Sequence, residues 1–171
     1  MLYFGYAGPA QSAPGMVKGV LESISKHLEA SADVDIPPRL WADFTSAAAS
    51  IAGQLIPGKA VALRVMDDAA IRRLNADFRR VDAATDVLSF PADEKSPPDH
   101  GGDIGISWET VSRQARANGN TDLAEAVALF AHGMLHLTGL DHPDDAAQDA
   151  FDLKTRELCN SVGIEVETFG H

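Results

Sequence analysis

The chain has 171 residues and a mass of 18.2 kDa, with 45% hydrophobic and 23% charged residues. This composition is typical of one globular domain and excludes collagen-like and disordered chains. A formal net charge of −11 means that most of the surface repels nucleic acid, so any contact with RNA must be local. The single cysteine, Cys159, the lack of a secretory signal and the lack of an apolar stretch of membrane-spanning length predict a soluble cytoplasmic protein.

The N-terminal part of the chain divides into an extension and the start of a domain. Residues 1–15 contain three Gly, two Pro and no charge, which predicts a disordered extension before a single domain over residues 16–171. From Val17 to Leu28 the apolar spacing predicts a helix. Pro37-Pro38 then open a second helix, which ends before Pro57-Gly58.

The remaining elements alternate between strands and helices. A strand is predicted over residues 59–66, and Asp67 is placed to cap a helix that runs to about Arg79 with Ile71, Leu74 and Phe78 facing inward. Two short strands are predicted at 86–90 and 103–107, and helices at 108–118, 123–138 and 144–162. Because two strands follow each other without a helix between them, we expect an α+β fold. About five to six helices would pack with a small mixed four-stranded sheet.

Three of the six histidines fall within eleven residues. His132 and His136 lie four apart on a predicted helix, so both imidazoles project from one face. The two imidazoles are thus close enough to share one metal ion. Gly139 can adopt the left-handed conformation that ends a helix, and the turn would bring His142 back to the same ion. Three imidazoles with a fourth position open are typical of a catalytic zinc site. The sequence therefore predicts one Zn²⁺, with Ni²⁺, Co²⁺ or Mn²⁺ as alternatives because imidazole also binds them.

The same spacing also occurs in a class of zinc peptidases. H-x-x-x-H-x-x-G-x-x-H is the metal motif of the metzincins, which carry a glutamate directly after the first histidine as general base. Here that position is Gly133. A peptidase would need another residue to take the proton from water, so a zinc peptidase is the less favoured alternative.

The histidine segment is part of a wider resemblance. Residues 132–142, His-Gly-Met-Leu-His-Leu-Thr-Gly-Leu-Asp-His, resemble the H-G-x-L-H-L-x-G-[YFH]-D-H signature of the YbeY endoribonuclease family. Residues 74–91 are similar to the family's L-N-x-x-[YF]-R-x-x-D-x-P-T-[DN]-V-L-S-F-P, and residues 102–107 to its G-D-I-x-I-S strand. The resemblance covers residues 61–162. Ala84 replaces a usual proline and Leu140 a usual aromatic residue, and residues 1 to about 31 have no counterpart.

The resemblance implies a zinc-dependent, single-strand-specific endoribonuclease. Its implied roles are maturation of the 3′ end of 16S rRNA and ribosome quality control. The implied partners are single-stranded RNA, ribosomal RNA and the small ribosomal subunit, and neither DNA nor a membrane. A ribosome-assembly factor with a structural metal and weak nuclease activity is the alternative, because so acidic a chain binds RNA poorly by itself.

Two further residues are candidates for catalysis. Arg79 matches the family's motif arginine, and its planar guanidinium suits phosphate binding and stabilisation of transition-state charge. Asp141 could orient a ligand imidazole or serve as general base. Residues 59–80 contain six basic and three acidic side chains, a local charge of +3, so we expect the RNA backbone to lie there.

Overall fold

One mixed sheet organises residues 21–168, which are the part of the chain that the computed structural model describes. Its strands are β1 (Leu21–Ile24), β2 (Leu28–Ala32), β3 (Ala60–Met66), β4 (Val87–Pro91) and β5 (His100–Ser107), in the spatial order β1-β2-β3-β5-β4. The outer strands β1 and β4 pair antiparallel with their neighbours, whereas β2, β3 and β5 are parallel. The extension predicted over residues 1–15 lies outside the described residues.

The expected α+β class is confirmed. Five helices accompany the sheet within residues 21–168, namely α1 (Pro38–Leu55), α2 (Asp68–Arg79), α3 (Trp108–Asn118), α4 (Asp122–Leu137) and α5 (Asp145–Ser161). Their bounds agree with the predicted ones to within one or two residues. The sheet has a short fifth strand, β1, at one edge in addition to the four that we expected.

The helix predicted from Val17 to Leu28 is wrong over the described residues. The chain there forms the antiparallel hairpin of β1 and β2. Its turn is closed by the Leu28 N–H, which donates to Ser25 Oγ, and by the Ser25 N–H, which donates to the Leu28 carbonyl. Because β2 also pairs in parallel with β3, sheet hydrogen bonding outweighs a helical pattern that is weak by itself.

Helix α2 begins and ends as predicted, but one of the residues that we expected to face inward does not. Asp67 caps it by accepting from the Ala70 N–H at 2.7 Å, and Ile71 is fully buried in a small cluster with Met66 and Leu88. Phe78, which we expected to face inward, is 45% exposed. This cluster is too small to cover the last turn of α2, so the Phe78 ring remains at the surface.

Helix α4 forms the centre of the core. All its residues from Ala124 to Leu135 are buried, and it packs against α1 and against the face of the sheet that carries Ile104 and Ile106. The ring of Phe130 meets that of Phe44 edge to face, with centroids 6.4 Å apart. None of the described helices combines the length and apolar character needed to cross a membrane.

Replacement of Phe130 tests the role of this core. Phe130→Ala should lower the free energy of unfolding by about 3–5 kcal/mol, because it leaves a cavity at a fully buried position. Urea unfolding followed by circular dichroism measures the change. Leu153→Ala, at a residue that is 58% exposed, is the control and should change it by about 0.5 kcal/mol or less. Equal effects of the two substitutions would contradict this assignment of the core.

Candidate metal centre and cleft

Three imidazoles converge where α4 ends. His132 and His136 are one turn apart in α4, and His142 follows in the next turn of the chain. The Nε2 atoms of His132 and His136 are 3.2 Å apart, and one ring nitrogen from each of the three residues lies within 4.8 Å of the others. Two nitrogen ligands of a tetrahedral zinc ion are separated by about 3.3 Å. The triad could therefore hold a metal ion, as the sequence predicts.

Gly139 produces the turn that brings the third histidine back. Its φ of +86° lies in the left-handed region, and its N–H donates to the carbonyl of His136, so the predicted helix end is confirmed. The turn also places the carbonyl of Leu140 3.1 Å from Nδ1 of His136. A proton on Nδ1 can be donated to this carbonyl, which leaves the lone pair of Nε2 directed at the ion.

The electrostatic surroundings of His136 favour its neutral form. Burial lowers the pKa of this imidazole, and the charges of His142 and Arg79 lower it further. The Leu140 carbonyl and Asp141 act in the opposite direction but do not reverse the shift. Since a histidine must be neutral to bind a metal, the site is arranged to keep this ligand available at neutral pH.

Phe151 of α5 lies against all three imidazoles. Its ring centroid is 4.6 Å from that of His132, 4.8 Å from that of His136 and 4.7 Å from that of His142, and the side chain is only 3% exposed. A ring equally distant from the three imidazoles lies on the line that passes through the centre of the triad, perpendicular to its plane. An ion held by all three nitrogens would lie on the same line, so the ring and the ion must be on opposite sides of the triad. Phe151 therefore forms an apolar floor beneath the ligands.

The sequence predicts the helix that carries Phe151 but does not single out this residue as part of the site. Its position nine residues after His142, on the buried face of the following helix, is the signal that could have suggested contact with the triad. Periodicity alone does not distinguish a ring that packs on the core from one that packs on a metal site.

A cleft of about 620 Å³ opens above the histidines. Its walls come from the end of α2, the segment leading into β4, alternate residues of β4, and the turn after α4. The lining residues are Arg79, Thr85, Asp86, Val87, Ser89, Pro91, His132, His136, Gly139, Leu140, Asp141 and His142. Both predicted catalytic residues, Arg79 and Asp141, thus share one cleft with the predicted metal ligands.

Arg79 is the cationic side chain in this lining. Within the described residues it makes no hydrogen bond or ion pair, whereas Arg64 pairs with Asp33 at 2.7 Å and Arg72 with Asp82 at 2.7 Å. Part of the positive charge of residues 59–80 is therefore neutralised locally, and the location of the RNA backbone along them stays a prediction. The guanidinium of Arg79 is left available for an anion in the cleft.

Asp141 is also held in the cleft. Its Oδ1 accepts from the backbone N–H of His142 at 2.9 Å, and the carboxylate is exposed. The Leu140 carbonyl, rather than Asp141, orients the imidazole of His136. A role for Asp141 as general base stays a prediction.

The comparisons with known proteins agree with the residue pattern. A family model described as Endoribonuclease YbeY matches residues 26–163. The chain is 48% identical over 117 residues to a protein of Roseiflexus sp. (strain RS-1) named Endoribonuclease YbeY, which covers 63% of this chain and 72% of that protein. A protein of the same name from Moorella thermoacetica is 41% identical over 127 residues, covering 68% of this chain and 80% of that protein.

Two further comparisons show how far the likeness extends. For the Endoribonuclease YbeY of Gloeobacter violaceus, identity is 47% over 109 residues, and the match spans only 56% of that protein's length. The solution structure of TM1509 from Thermotoga maritima is similar in fold, with a TM-score of 0.51, 24% identity, and coverage of 79% of this chain and 89% of that one. The family match begins at residue 26, so β2 and α1 fall within it, although the sequence motifs suggested a start near residue 61.

Removal of one histidine tests the metal site. His136→Ala should weaken zinc binding by more than about 100-fold, because it deletes one of three ligands and even supporting residues contribute about 10–100-fold. Metal content of the purified chain and titration with Co²⁺ followed by its absorption measure the change. His27→Ala, at a histidine bonded instead to the Lys59 carbonyl, is the control. Retention of one equivalent of metal by His136→Ala would refute the triad.

Replacement of Phe151 tests the floor beneath the ligands. Phe151→Ala should weaken Co²⁺ binding by about tenfold and change its absorption spectrum, because the imidazoles lose the surface that fixes their orientation. Phe151→Leu keeps apolar bulk and should retain most of the affinity. If the alanine variant binds Co²⁺ with wild-type affinity and spectrum, the ring is only a core residue.

Proposed function

This chain belongs to the Endoribonuclease YbeY family, and from that premise we propose that it is a zinc-dependent endoribonuclease that cleaves single-stranded RNA. The proposed physiological substrate is ribosomal RNA on the small subunit, in maturation of the 3′ end of 16S rRNA and in ribosome quality control. The observation that carries the proposal is one cleft in which three convergent imidazoles face an arginine without an ion-pair partner among the described residues.

Each group of residues in the cleft has a separate role in phosphodiester cleavage. His132, His136 and His142 would hold the zinc ion. When bound, zinc supplies Lewis-acid chemistry that makes a nucleophile available near neutral pH and neutralises charge on a phosphoryl oxygen. The planar guanidinium of Arg79 binds the phosphate in two-point contact and stabilises the charge that develops in the transition state.

Asp141 is the proposed proton acceptor. Its Oδ1 is engaged by the His142 N–H, while its Oδ2 makes no hydrogen bond within the described residues. Oδ2 can take the proton from an attacking hydroxyl, whether water or the neighbouring 2′-hydroxyl of the RNA. The contact at Oδ1 fixes the carboxylate relative to the third histidine, which keeps this acceptor beside the reacting phosphate.

The peptidase alternative meets a steric obstacle at Gly133. A Cβ at this position would lie 2.8 Å from Ser89 Oγ, 3.2 Å from Val87 Cγ2 and 3.3 Å from Ile104 Cδ1. The helix and the β4 edge of the sheet are therefore too close for a glutamate after the first histidine, where metzincins carry their general base. The cleft offers phosphate-binding chemistry instead.

The net charge of −11 favours a second candidate, a ribosome-assembly factor with little nuclease activity of its own. An acidic chain gains little general attraction to RNA, so binding would depend on ribosomal partners. This candidate requires that loss of the metal site leave ribosome maturation unchanged. The proposed nuclease requires the opposite.

Cleavage assays test the proposal directly. The zinc-loaded chain should cut a fluorescent single-stranded RNA, and His132→Ala should abolish cleavage because the ion is no longer held. Arg79→Ala should lower kcat/KM by about 10²–10³, the cost of removing one transition-state charge donor, and Arg79→Lys should restore only part. Arg73→Ala, at an exposed arginine of the same helix that does not line the cleft, is the matched control.

The outcomes separate the alternatives. Loss of activity in His132→Ala and Arg79→Ala with retention in Arg73→Ala supports the nuclease. Bound zinc without RNA cleavage by the wild type, combined with normal 16S rRNA 3′ ends in cells that carry His132→Ala, favours the assembly factor. Cleavage of an unstructured peptide would revive the peptidase.

A further inference from the structure

We propose that Phe78 and Phe90 form a stacking platform for one unpaired base of the RNA strand, just outside the metal cleft. The inference rests on the proposed function, since it assigns a second contact of the same substrate. It adds a binding site for a base. The groups proposed so far, the three histidines, Arg79 and Asp141, all act at the phosphate and its attacking hydroxyl.

The exposed ring of Phe78 rests on the half-buried ring of Phe90, which has a rigid backing. Phe78 is 45% exposed, and its ring meets that of Phe90 edge to face, with centroids 5.5 Å apart and planes at 70°. Phe90 in turn packs on the cluster that contains the fully buried Ile71. An exposed phenyl ring loses little entropy on binding when its neighbour already restrains it, so the pair is preorganised for a flat ligand.

Both rings adjoin residues of the cleft. Phe78 directly precedes Arg79, and Phe90 stands between Ser89 and Pro91. Arg79, Ser89 and Pro91 all line the cleft. Side chains alternate along β4, which is an edge strand, so Ser89 and Pro91 face the histidines while Phe90 faces α2. A single-stranded RNA that bends around the β4 edge of the sheet would pass from the two rings to the candidate metal site.

The charge around the rings suits a nucleic acid backbone. Arg79 and Arg80 are exposed and make no hydrogen bonds or ion pairs through their side chains within residues 21–168, and Asp77 is the single acidic residue among positions 76–80. In a chain with a net charge of −11 this local excess of positive charge selects an anionic partner. A flat apolar surface flanked by arginines is the arrangement that binds single-stranded nucleic acid by base stacking.

Binding of two oligonucleotides tests the platform. The probes are a fluorescent single-stranded octamer of uridine and the same sugar–phosphate octamer without bases. All proteins are the full chain with His136→Ala, so that the strand is not consumed. Phe78→Ala should weaken binding of the octamer with bases about tenfold, because aromatic stacking contributes substantially per base, and should leave binding of the base-free octamer unchanged.

The control variants separate stacking from other effects. Phe78→Tyr keeps an aromatic face and should bind almost as wild type, whereas Phe78→Leu keeps apolar bulk and should lose most of the stacking. Leu153→Ala removes another exposed apolar side chain and should change neither affinity. Thermal melting confirms that each variant is folded.

The binding and cleavage assays together distinguish a missing stacking platform from a missing nuclease activity. If the wild type cleaves RNA but Phe78→Ala weakens both octamers equally or neither, the platform is overturned and the nuclease stands. The exposed Phe78 ring would then suit a protein partner. If binding depends on Phe78 and on bases but the wild type does not cleave RNA, the platform stands and the nuclease fails.

Discussion

The burial of α4 on all sides is the constraint on which the rest of the structure depends. The helix packs on α1, α5 and the β4–β5 edge of the sheet, and it approaches β4 so closely that position 133 has no room for a side chain. His132 therefore sits where the core ends, 9% exposed, with a helical backbone that cannot move without disturbing the core. Burial of an imidazole is costly unless it has polar partners, and His136, one turn further along, faces it at the mouth of the cleft.

Phe151 links the rigid core to the three imidazoles of the triad. Two of the imidazoles are fixed by the helix, while the third comes from a turn that follows a left-handed glycine and has more conformational freedom. A single ring in contact with all three restrains this third ligand together with the other two. The same buried ring covers the inner side of the triad, so the cleft is the side from which the three imidazoles can be reached.

Much of this arrangement could be predicted from the sequence because its determinants are local. The i,i+4 spacing of His132 and His136, the glycine turn and the Asp67 cap each depend on a few neighbouring residues. The β1–β2 hairpin could not be predicted, since β2 exists through pairing with β3, about 30 residues away. The exposure of Phe78 likewise depends on how little of α2 the sheet covers. The contact of the Leu140 carbonyl with His136 Nδ1 depends on the course of one turn and could not be predicted either.

The position of the triad argues against a purely structural metal. A structural zinc site is closed by four protein ligands, whereas these three imidazoles open onto a cleft of about 620 Å³ that also contains Arg79 and Asp141. The apolar core of α1, α4 and the sheet is continuous without them, so an ion would add only a link between the last turn of α4 and the segment after it. Arg79, which lowers the pKa of His136, would weaken the cluster if stability were its purpose. Within residues 21–168 the guanidinium of Arg79 has no ion-pair partner, and it shares the cleft with three candidate metal ligands. This arrangement is useful when an anion enters the cleft, and a phosphodiester brings negative charge that suits both the guanidinium and a bound cation.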